Sequence, residues 1–415
     1  MKKFNVLLII FFCIISFLTA CSTTRQYSGR YDLLQETWIP RVNLNPRIWM
    51  QNADNWFYTG EPTALETNAN SAPGDSAMTI QAIKVAQFTN VSVNGCFKVQ
   101  IAGEQDHNSV FILGPNDAVR QLTVQVYGNT IYIGQLNSPD GPPASLKNVI
   151  VRIGIHKLHS LKAAGGVEVE GRNIISNRLV IDSDNYFDGN VLLSGRMNLV
   201  KVTNTGTADV SVIGAYTPYL DITASGRGAV NVSGHVGIHS INHYGSGTVS
   251  IIGADSNDLT VDASSGLTTV AGYVNLKKIN AEGCACVYIY WVNSNCTDVI
   301  VQDDAIVGVA GTTSLLDINL SENALFKGQY FRARKISVSA SGNAHANITT
   351  MKELFASSVD HSSIYYYGPT NDVSQNTAKS GAVIHVWGGS EALPVPNAPT
   401  FYTMRGPTVY GYSRR

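Results

Sequence analysis

The sequence predicts an all-β protein: a right-handed parallel β-helix with rungs of about 20 residues and a β-rich N-terminal cap. Three observations predict this fold. Glycine recurs at near-equal intervals, each interval contains two short stretches of alternating apolar residues, and a polar residue follows the first stretch. A unit of this size cannot bury its own apolar face, so stacked copies must build one continuous core. The connections are too short for crossover helices, which excludes a doubly wound α/β sheet.

The first 20 residues precede the fold. Lys2 and Lys3 stand before an apolar run, Val6 to Leu18, that has the length of a signal-peptide core. The run ends in the tetrapeptide Leu18–Cys21, which resembles the lipobox of bacterial lipoproteins and implies acylation of Cys21, for example by palmitate. Ser22 rather than an aspartate follows, so we expect a lipid anchor in the cell outer membrane, on its periplasmic or surface face. An ordinary secretory signal with a chance cysteine is the alternative.

Composition argues against a nucleic-acid partner. Removal of residues 1–20 takes two lysines and no acid, so the formal net charge moves from −1 to −3, and the chain has no basic cluster. No stretch after residue 20 is apolar enough to span a bilayer. Of the six cysteines, four lie in the body, which is too few for a disulfide framework in so long a chain.

Two segments flank the β body. Residues 21–80 are rich in Asn, Pro, Ser and Thr and read as a tether or arm, but they contain Trp38, Trp49 and Trp56. A pure spacer does not need tryptophan, so we expect part of this arm to pack onto the body or to bind a ligand. Residues 388–415 combine prolines with scattered tyrosines and are predicted to be a disordered tail.

Residues 81–157 form the predicted N-terminal part of the body. Alternating apolar residues predict strands at 91–93, 97–101, 122–126, 131–133 and 149–153. Gly95 and the pair Gly128-Asn129 separate them as turns. This stretch contains no convincing amphipathic helix.

The repeats fill residues 158–387, which include the predicted C-terminal cap. The clearest copy has apolar residues at Leu220, Ile222, Val230 and Val232 and closes at Gly234. The closing position falls at Gly195, Gly214, Gly234, Gly253, Gly272, Trp291 and Gly311, in steps of 19 or 20 residues. Glycine at a corner allows the positive φ that a sharp bend requires.

A polar residue follows the first apolar pair in ten successive copies. These residues are Asp182, Thr203, Thr223, Asn242, Asp262, Asn280, Gln302, Asn319, Ser339 and Asp360. Because side chains alternate along a strand, this column should face solvent while the apolar pair faces the core. An antiparallel sandwich or barrel is the rival fold, but it does not predict one constant ladder position.

The chain resembles a known family, the auto-transporter adhesin head proteins or GIN-domain proteins. The resemblance lies in residues 88–101, in Gly128–Ile133 and in the entry to the repeats at Leu158–Val169, and it extends over roughly residues 85–370. It implies a β-helical, exported protein, often a lipoprotein, with adhesion suggested by the family name. It carries no established catalytic or binding residue. The arm, the long repeat array and the tail depart from the usual pattern.

Acids on the predicted ladder are too sparse for catalysis. Enzymes on β-helices need carboxylates that meet at one substrate atom, whereas Asp182, Asp262 and Asp360 stand several rungs apart. Asp303-Asp304 and the pair Asp182/Asp184 are interpreted as turn residues. The sequence therefore predicts no catalytic residue and no cofactor.

Three smaller groups remain as candidate sites. Cys284 and Cys286, with Cys296 nearby, are predicted to form a disulfide or to remain free thiols on an outward face, and no metal site is expected. His235, His239 and His243 are interpreted as solvent-facing or turn residues. Tyr288, Tyr290 and Trp291 are a candidate ligand surface if they face outward. Tyr365 to Tyr367 could join such a patch or pack as a cap.

These features favour an adhesin-like binding scaffold of the cell envelope, lipid-anchored and without catalysis. Its expected partners are the membrane, through the N-terminal lipid, and a glycan or an envelope or host protein. Two alternatives remain open: a structural envelope lipoprotein, and a carbohydrate-active β-helix enzyme such as a polysaccharide lyase or hydrolase.

Overall fold

A computed structural model describes residues 78–135, 146–186, 189–369 and 372–386. All of them belong to one compact unit, residues 45–415. The predicted signal peptide, the acylation of Cys21, residues 21–77 of the arm and the tail at 388–415 lie outside the described residues. Within the described ranges, no helix is long and apolar enough to cross a membrane.

The body is a parallel β-solenoid of about 11 turns, as the repeat predicts. Each rung from 168 to 358 is one long bent strand that pairs in parallel with the next. These strands are β9 (Glu168–Asn185), β10 (Val191–Asn204), β11 (Val210–Ala224), β12 (Val230–His243), β13 (Thr248–Ala263), β14 (Leu267–Ala281), β15 (Cys286–Val301), β16 (Ile306–Leu320), β17 (Leu325–Ala340) and β18 (His345–Ser358).

Shorter elements close the two ends. The N-terminal part contains β1 (Met78–Ile83), β2 (Asn90–Gly95), β3 (Lys98–Ala102), β4 (Ser109–Pro115), α1 (Asn116–Val119), β5 (Leu122–Tyr127), β6 (Thr130–Gln135), β7 (Ile150–Gly154) and β8 (Ser160–Gly165). The last strands are β19 (Ser363–Tyr367), β20 (Val373–Thr377) and β21 (Ala382–His385). Strand β4 pairs antiparallel with β1 and β7, and β5 with β6, whereas β2 and β3 join the parallel stack through β8 and β9. Strands β1 and β4 were not predicted from the sequence.

The predicted closing positions are corners with positive φ. The values at Gly195, Gly214, Gly234, Gly253, Gly272 and Gly311 run from 83° to 156°. At Gly253 an added Cβ would lie 1.9 Å from the carbonyl oxygen of Gly234 on the preceding rung. Glycine is therefore required there both by the backbone conformation and by the close approach of the next rung. Trp291 occupies the same position with φ 60°.

The core runs along the inside of the stack. The inward apolar pairs, for example Leu220 with Ile222 and Val230 with Val232, are fully buried. Polar side chains also point inward at the end of some rungs. The Asn204 side-chain amide donates to the Ala208 carbonyl oxygen across the bend at 3.0 Å. Such bonds satisfy bend carbonyls that would otherwise be buried without a partner.

The polar ladder is confirmed at eight of its ten predicted positions and is wrong at Gln302 and Asp360. Strand register places Ile300 between Asn280 and Asn319, and it places Ser357 after Ser339. Gln302 follows the end of β15, and Asp360 lies in the bend after β18 with φ 61°. The three consecutive apolar residues at 299–301 hide the alternation from which the outward position is read.

Candidate functional site

The predicted aromatic ligand surface is wrong for the two tyrosines. Alternation along β15 directs Val287 and Ile289 into the core and turns Tyr288 and Tyr290 outward. Both tyrosines are nevertheless buried, with 8% and 3% of their surfaces exposed. Trp291 is half-buried, with its ring centroid 5.6 Å from that of Tyr290. An outward direction therefore does not make this cluster an open surface.

The three cysteines of the predicted thiol group do not share one state. Cys286 and Cys296 are free thiols, whereas Cys284 is disulfide-bonded, but to neither of them. Cys286 begins β15, where burial raises the pKa of its thiol, and Cys296 is exposed. No group of three or more metal-ligating side chains occurs in the described part of the chain.

The three histidines of β12 also separate. His235 and His239 are about half exposed, as the sequence predicts. His243 is fully buried, so the solvent-facing interpretation is wrong for this residue. It ends β12 at an inward position, and its Nδ1 lies 2.9 Å from the Thr268 hydroxyl. Burial lowers the pKa of His243 to about 4, which keeps the ring neutral.

An exposed group of aromatic rings and carboxylates crosses rungs β11 to β14. We call it the tyrosine–histidine face. It consists of Tyr216, Tyr219, Asp221, His235, His239, Asp255, Asp258 and Tyr273. Sequence reasoning identified only the two histidines. The sequence does mark part of this face by position. One or two residues after a closing glycine stand Tyr216, His235, Asp255 and Tyr273.

One column of this face runs along the corner that follows the closing glycines. Tyr216 is the register partner of His235, and their rings stack with centroids 5.4 Å apart. His235 Nε2 lies 3.4 Å from a carboxylate oxygen of Asp255, which is the register partner of Tyr273. Four consecutive rungs thus present tyrosine, imidazole, carboxylate and tyrosine in one line.

The second column lies three residues further along the strand. Tyr219 stacks on His239 with ring centroids 4.5 Å apart and an interplanar angle of 18°. His239 Nδ1 is 3.0 Å from Asp221 Oδ1, and the Ser240 hydroxyl donates to the same oxygen at 2.6 Å. Burial, followed by the negative charges of Asp221 and Asp258, raises the pKa of the Tyr219 phenol. The phenol therefore stays protonated and can donate a hydrogen bond.

A hydrogen bond from the backbone to a buried side chain stabilises the corner between the two columns. Thr217 is buried, and its hydroxyl accepts the Tyr219 backbone N–H at 3.3 Å. This local bond satisfies the backbone where the chain turns and holds Tyr219 outward. The two tyrosines are 59% and 48% exposed although both stack on an imidazole. Each ring is therefore supported by a stacking contact on one side and open to solvent on the other.

Carboxylates on adjacent rungs occur elsewhere, beside the predicted ladder. Asp298 and Asp317 are register partners on β15 and β16, so their strands lie about 4.8 Å apart. The Lys278 ammonium lies 3.9 Å from Asp298. The pair was not predicted from the sequence, because the prediction used only the acids of the ladder column. In that column, three rungs lie between Asp182 and Asp262.

Several solved structures are similar to this chain, and three of them are described here. A putative adhesin from Parabacteroides merdae is 13% identical, with a TM-score of 0.32. A putative lipid binding protein from Parabacteroides distasonis is 13% identical, with a TM-score of 0.26. A putative adhesin from Parabacteroides distasonis is 15% identical, with a TM-score of 0.27. Each alignment covers 75% of this chain and 98% of the other.

Comparison at the level of sequence gives a family. No curated protein sequence matches the chain. A family model described as "Putative auto-transporter adhesin, head GIN domain" matches residues 87–290 and 271–369, which confirms the resemblance drawn from the glycine and apolar spacing. The chain belongs to this GIN-domain adhesin-head family.

Proposed function

We propose that this protein is a lipid-anchored, adhesin-like scaffold of the cell envelope that binds a glycan on its tyrosine–histidine face without transforming it. The stacked and exposed pairs Tyr216–His235 and Tyr219–His239 carry this proposal. Membership in the adhesin-head family supports a binding role and an envelope location.

The chemistry of the face suits a sugar. Tyrosine rings offer apolar area for the C–H side of a pyranose ring, and each has a hydroxyl at its tip. The carboxylates of Asp221, Asp255 and Asp258 accept hydrogen bonds from sugar hydroxyls. Repetition of these groups along the stack, at about 4.8 Å per rung, favours an extended chain over a single small molecule.

A glycan array tests this role with the soluble protein, residues 22–415. We expect binding to at least one uncharged or cationic glycan class and a loss of about tenfold or more in Tyr219→Ala. Tyr127→Ala is the matched control, since this tyrosine is 82% exposed on a distant hairpin. Equal binding by wild type and Tyr219→Ala would contradict the assignment of the face.

The anchor is tested separately in cells. Cys21 is the proposed acylation site, so Cys21→Ala should abolish labelling by an alkynyl palmitate analogue and should move the protein out of the membrane fraction. Cys296→Ala, which removes an exposed thiol of the body, should leave both unchanged. Persistent labelling of Cys21→Ala would rule out this anchor.

A carbohydrate-active enzyme is the second candidate, and the Asp298–Asp317 pair is the observation that favours it. Retaining glycosidases place their two carboxyl groups about 5 Å apart, which is close to the spacing of adjacent rungs. Incubation of array-positive polysaccharides with wild-type protein and with Asp317→Asn decides between the candidates. Release of oligosaccharides by the wild type but not by the variant would replace the binding proposal with the enzyme.

A further inference from the structure

The tyrosine–histidine face carries a surplus of negative charge. Its eight residues include three carboxylates, Asp221, Asp255 and Asp258, and neither lysine nor arginine. The stretch of sequence that forms these rungs, residues 210–285, holds five acidic and three basic residues. One of the three bases, Lys278, lies 3.9 Å from a carboxylate of β15, outside the face. A ligand that approaches the face therefore meets a negative potential, which attracts cations and repels anions.

In the second column of the face, two carboxylates lie close to one open tyrosine ring. Tyr219 stacks on His239 with one side of its ring and remains 48% exposed. The pKa of its phenol is raised by burial and then by the negative charges of Asp221 and Asp258, so both carboxylates act on this group. A cation that covers the open side of the ring is attracted by the aromatic system and can donate hydrogen bonds to a neighbouring carboxylate.

The first column repeats this combination of ring and carboxylate. Asp255 on β13 has Tyr273 as its register partner on β14 and lies 3.4 Å from Nε2 of His235, which stacks on Tyr216. Both tyrosines are more than half exposed, and so is Asp255. The contact at 3.4 Å is with an imidazole rather than with a permanently charged ammonium or guanidinium group. The charge of Asp255 is therefore available to a ligand that lies on the rings.

Two lysines adjoin the face at its edges. Lys277 lies 3.8 Å from Asp258, but the two side chains are 67% and 55% exposed, and exposed ion pairs contribute little to stability. A ligand ammonium can therefore displace Lys277. Lys201 on β10 is the register partner of Asp221 and lies at the border of the face. We therefore expect a cationic ligand to be held mainly by Asp258 and by Asp255.

We propose that the ligand of the tyrosine–histidine face is a cationic amino-sugar polymer, whose sugar rings cover the tyrosines while its protonated amines contact Asp255 and Asp258. This proposal rests on the proposed function, because it names the class of glycan that the face binds. A hexosamine fits because its ammonium is attached directly to the sugar ring, so one sugar can contact a tyrosine and the carboxylate beside it. Carboxylates recur on β11 and β13, two rungs or about 10 Å apart, so a polymer gains from several amines at once.

A lysine-rich peptide is the competing cationic ligand. A lysine ammonium stands at the end of a flexible four-carbon stem, and fixing that stem costs conformational entropy. The stem also offers no flat surface, whereas Tyr216 and Tyr219 each present an open aromatic ring that a pyranose can cover. The amino sugar is therefore the better match for a face that combines flat rings with carboxylates.

Calorimetric titration of the soluble protein, residues 22–415, with two matched oligosaccharides tests this proposal. The probes are a β-linked glucosamine oligomer and its fully N-acetylated counterpart, in a mildly acidic buffer that keeps the amines protonated. At an ionic strength on the order of 20 mM, the glucosamine oligomer should bind at least about tenfold more tightly, and at about 300 mM the ratio should fall to about threefold or less because salt screens the charges. The variant Asp255→Asn/Asp258→Asn should show the smaller ratio already at low salt. Asp106→Asn is the matched control, since it removes an exposed carboxylate in the N-terminal part of the body, and it should keep the wild-type ratio.

The opposite results separate this proposal from the proposed function. Equal binding of the two oligomers would overturn the amino-sugar assignment and leave a glycan-binding face in place. Oligolysine that binds as tightly as the glucosamine oligomer would assign the face to a cationic peptide instead. A wild-type ratio in Asp255→Asn/Asp258→Asn, folded by circular dichroism, would place the amine elsewhere. Failure of both oligomers to bind would also overturn the amino sugar, and the proposed function fails with it only if the glycan array is blank as well.

Discussion

The buried histidine of β12 makes stability depend on pH. Well above pH 6.5, at about pH 7.5 and higher, His243 is neutral in both the folded and the unfolded chain, so it has no effect on the pH dependence there. As the pH falls from 6.5 toward 4, the imidazole of His243 becomes protonated in the unfolded chain but stays neutral in the folded chain. The free energy of unfolding therefore decreases across this window and levels off below about pH 4. A pKa lowered from 6.5 to about 4 corresponds to a maximum of about 3 kcal/mol, of which roughly 2 kcal/mol falls between pH 7 and pH 4.5.

The substitution His243→Asn isolates this effect. Strand register places Asn204 in the same inward column as His243, two rungs earlier. An asparagine side chain therefore already occurs in this column, and it does not titrate. Denaturant unfolding at pH 7 and pH 4.5 should show a decrease for the wild type that exceeds the decrease for the variant by roughly 2 kcal/mol. If His243→Asn loses as much stability as the wild type, the buried imidazole is not the cause.

Three further outcomes follow from single positions. Gly253→Ala should lower the free energy of unfolding by at least about 2 kcal/mol, because the added Cβ would meet the Gly234 carbonyl oxygen. Gly128 also has a positive φ but has open space around it, so Gly128→Ala should lower that free energy by only about 1 kcal/mol. Thermal unfolding measures both. Iodoacetamide should modify Cys296 about tenfold faster than Cys286, since burial shields the latter and raises its pKa; equal rates by mass spectrometry would show that β15 opens. Asp221→Asn should weaken glycan binding less than Tyr219→Ala does, because the asparagine amide oxygen still accepts the Ser240 hydrogen bond. Calorimetry measures both affinities. A larger loss in Asp221→Asn would show that the carboxylate charge, rather than the tyrosine ring, dominates glycan binding.

The repeat could be predicted from the sequence because each rung is a local pattern with a fixed period. The closing glycines mark corners with positive φ, and the polar ladder follows from strand alternation. The prediction failed at Gln302, where three apolar residues in a row hide the alternation. Within a single rung, one misread residue moves a side chain to another face.

The candidate site was only partly predictable for a different reason. The stacking of Tyr219 on His239 depends on register shifts between β11 and β12, which no periodicity in the sequence encodes. Tyr288 and Tyr290 are likewise buried although strand alternation turns them outward, so alternation alone does not predict their exposure. The exposed tyrosine–histidine face, on β11 to β14, carries aromatic residues at positions that differ from rung to rung.

The affinity of the soluble protein for its array-selected glycan tests the proposed binding role most directly. Titration calorimetry with wild type and with the double variant Tyr216→Ala/Tyr219→Ala, followed by chromatography of the recovered glycan, measures binding and turnover in one sample. We predict binding by the wild type, a loss of at least about tenfold in the double variant, and recovery of intact glycan. Undiminished binding by the double variant, or recovery of cleaved glycan, would contradict a non-catalytic tyrosine–histidine face.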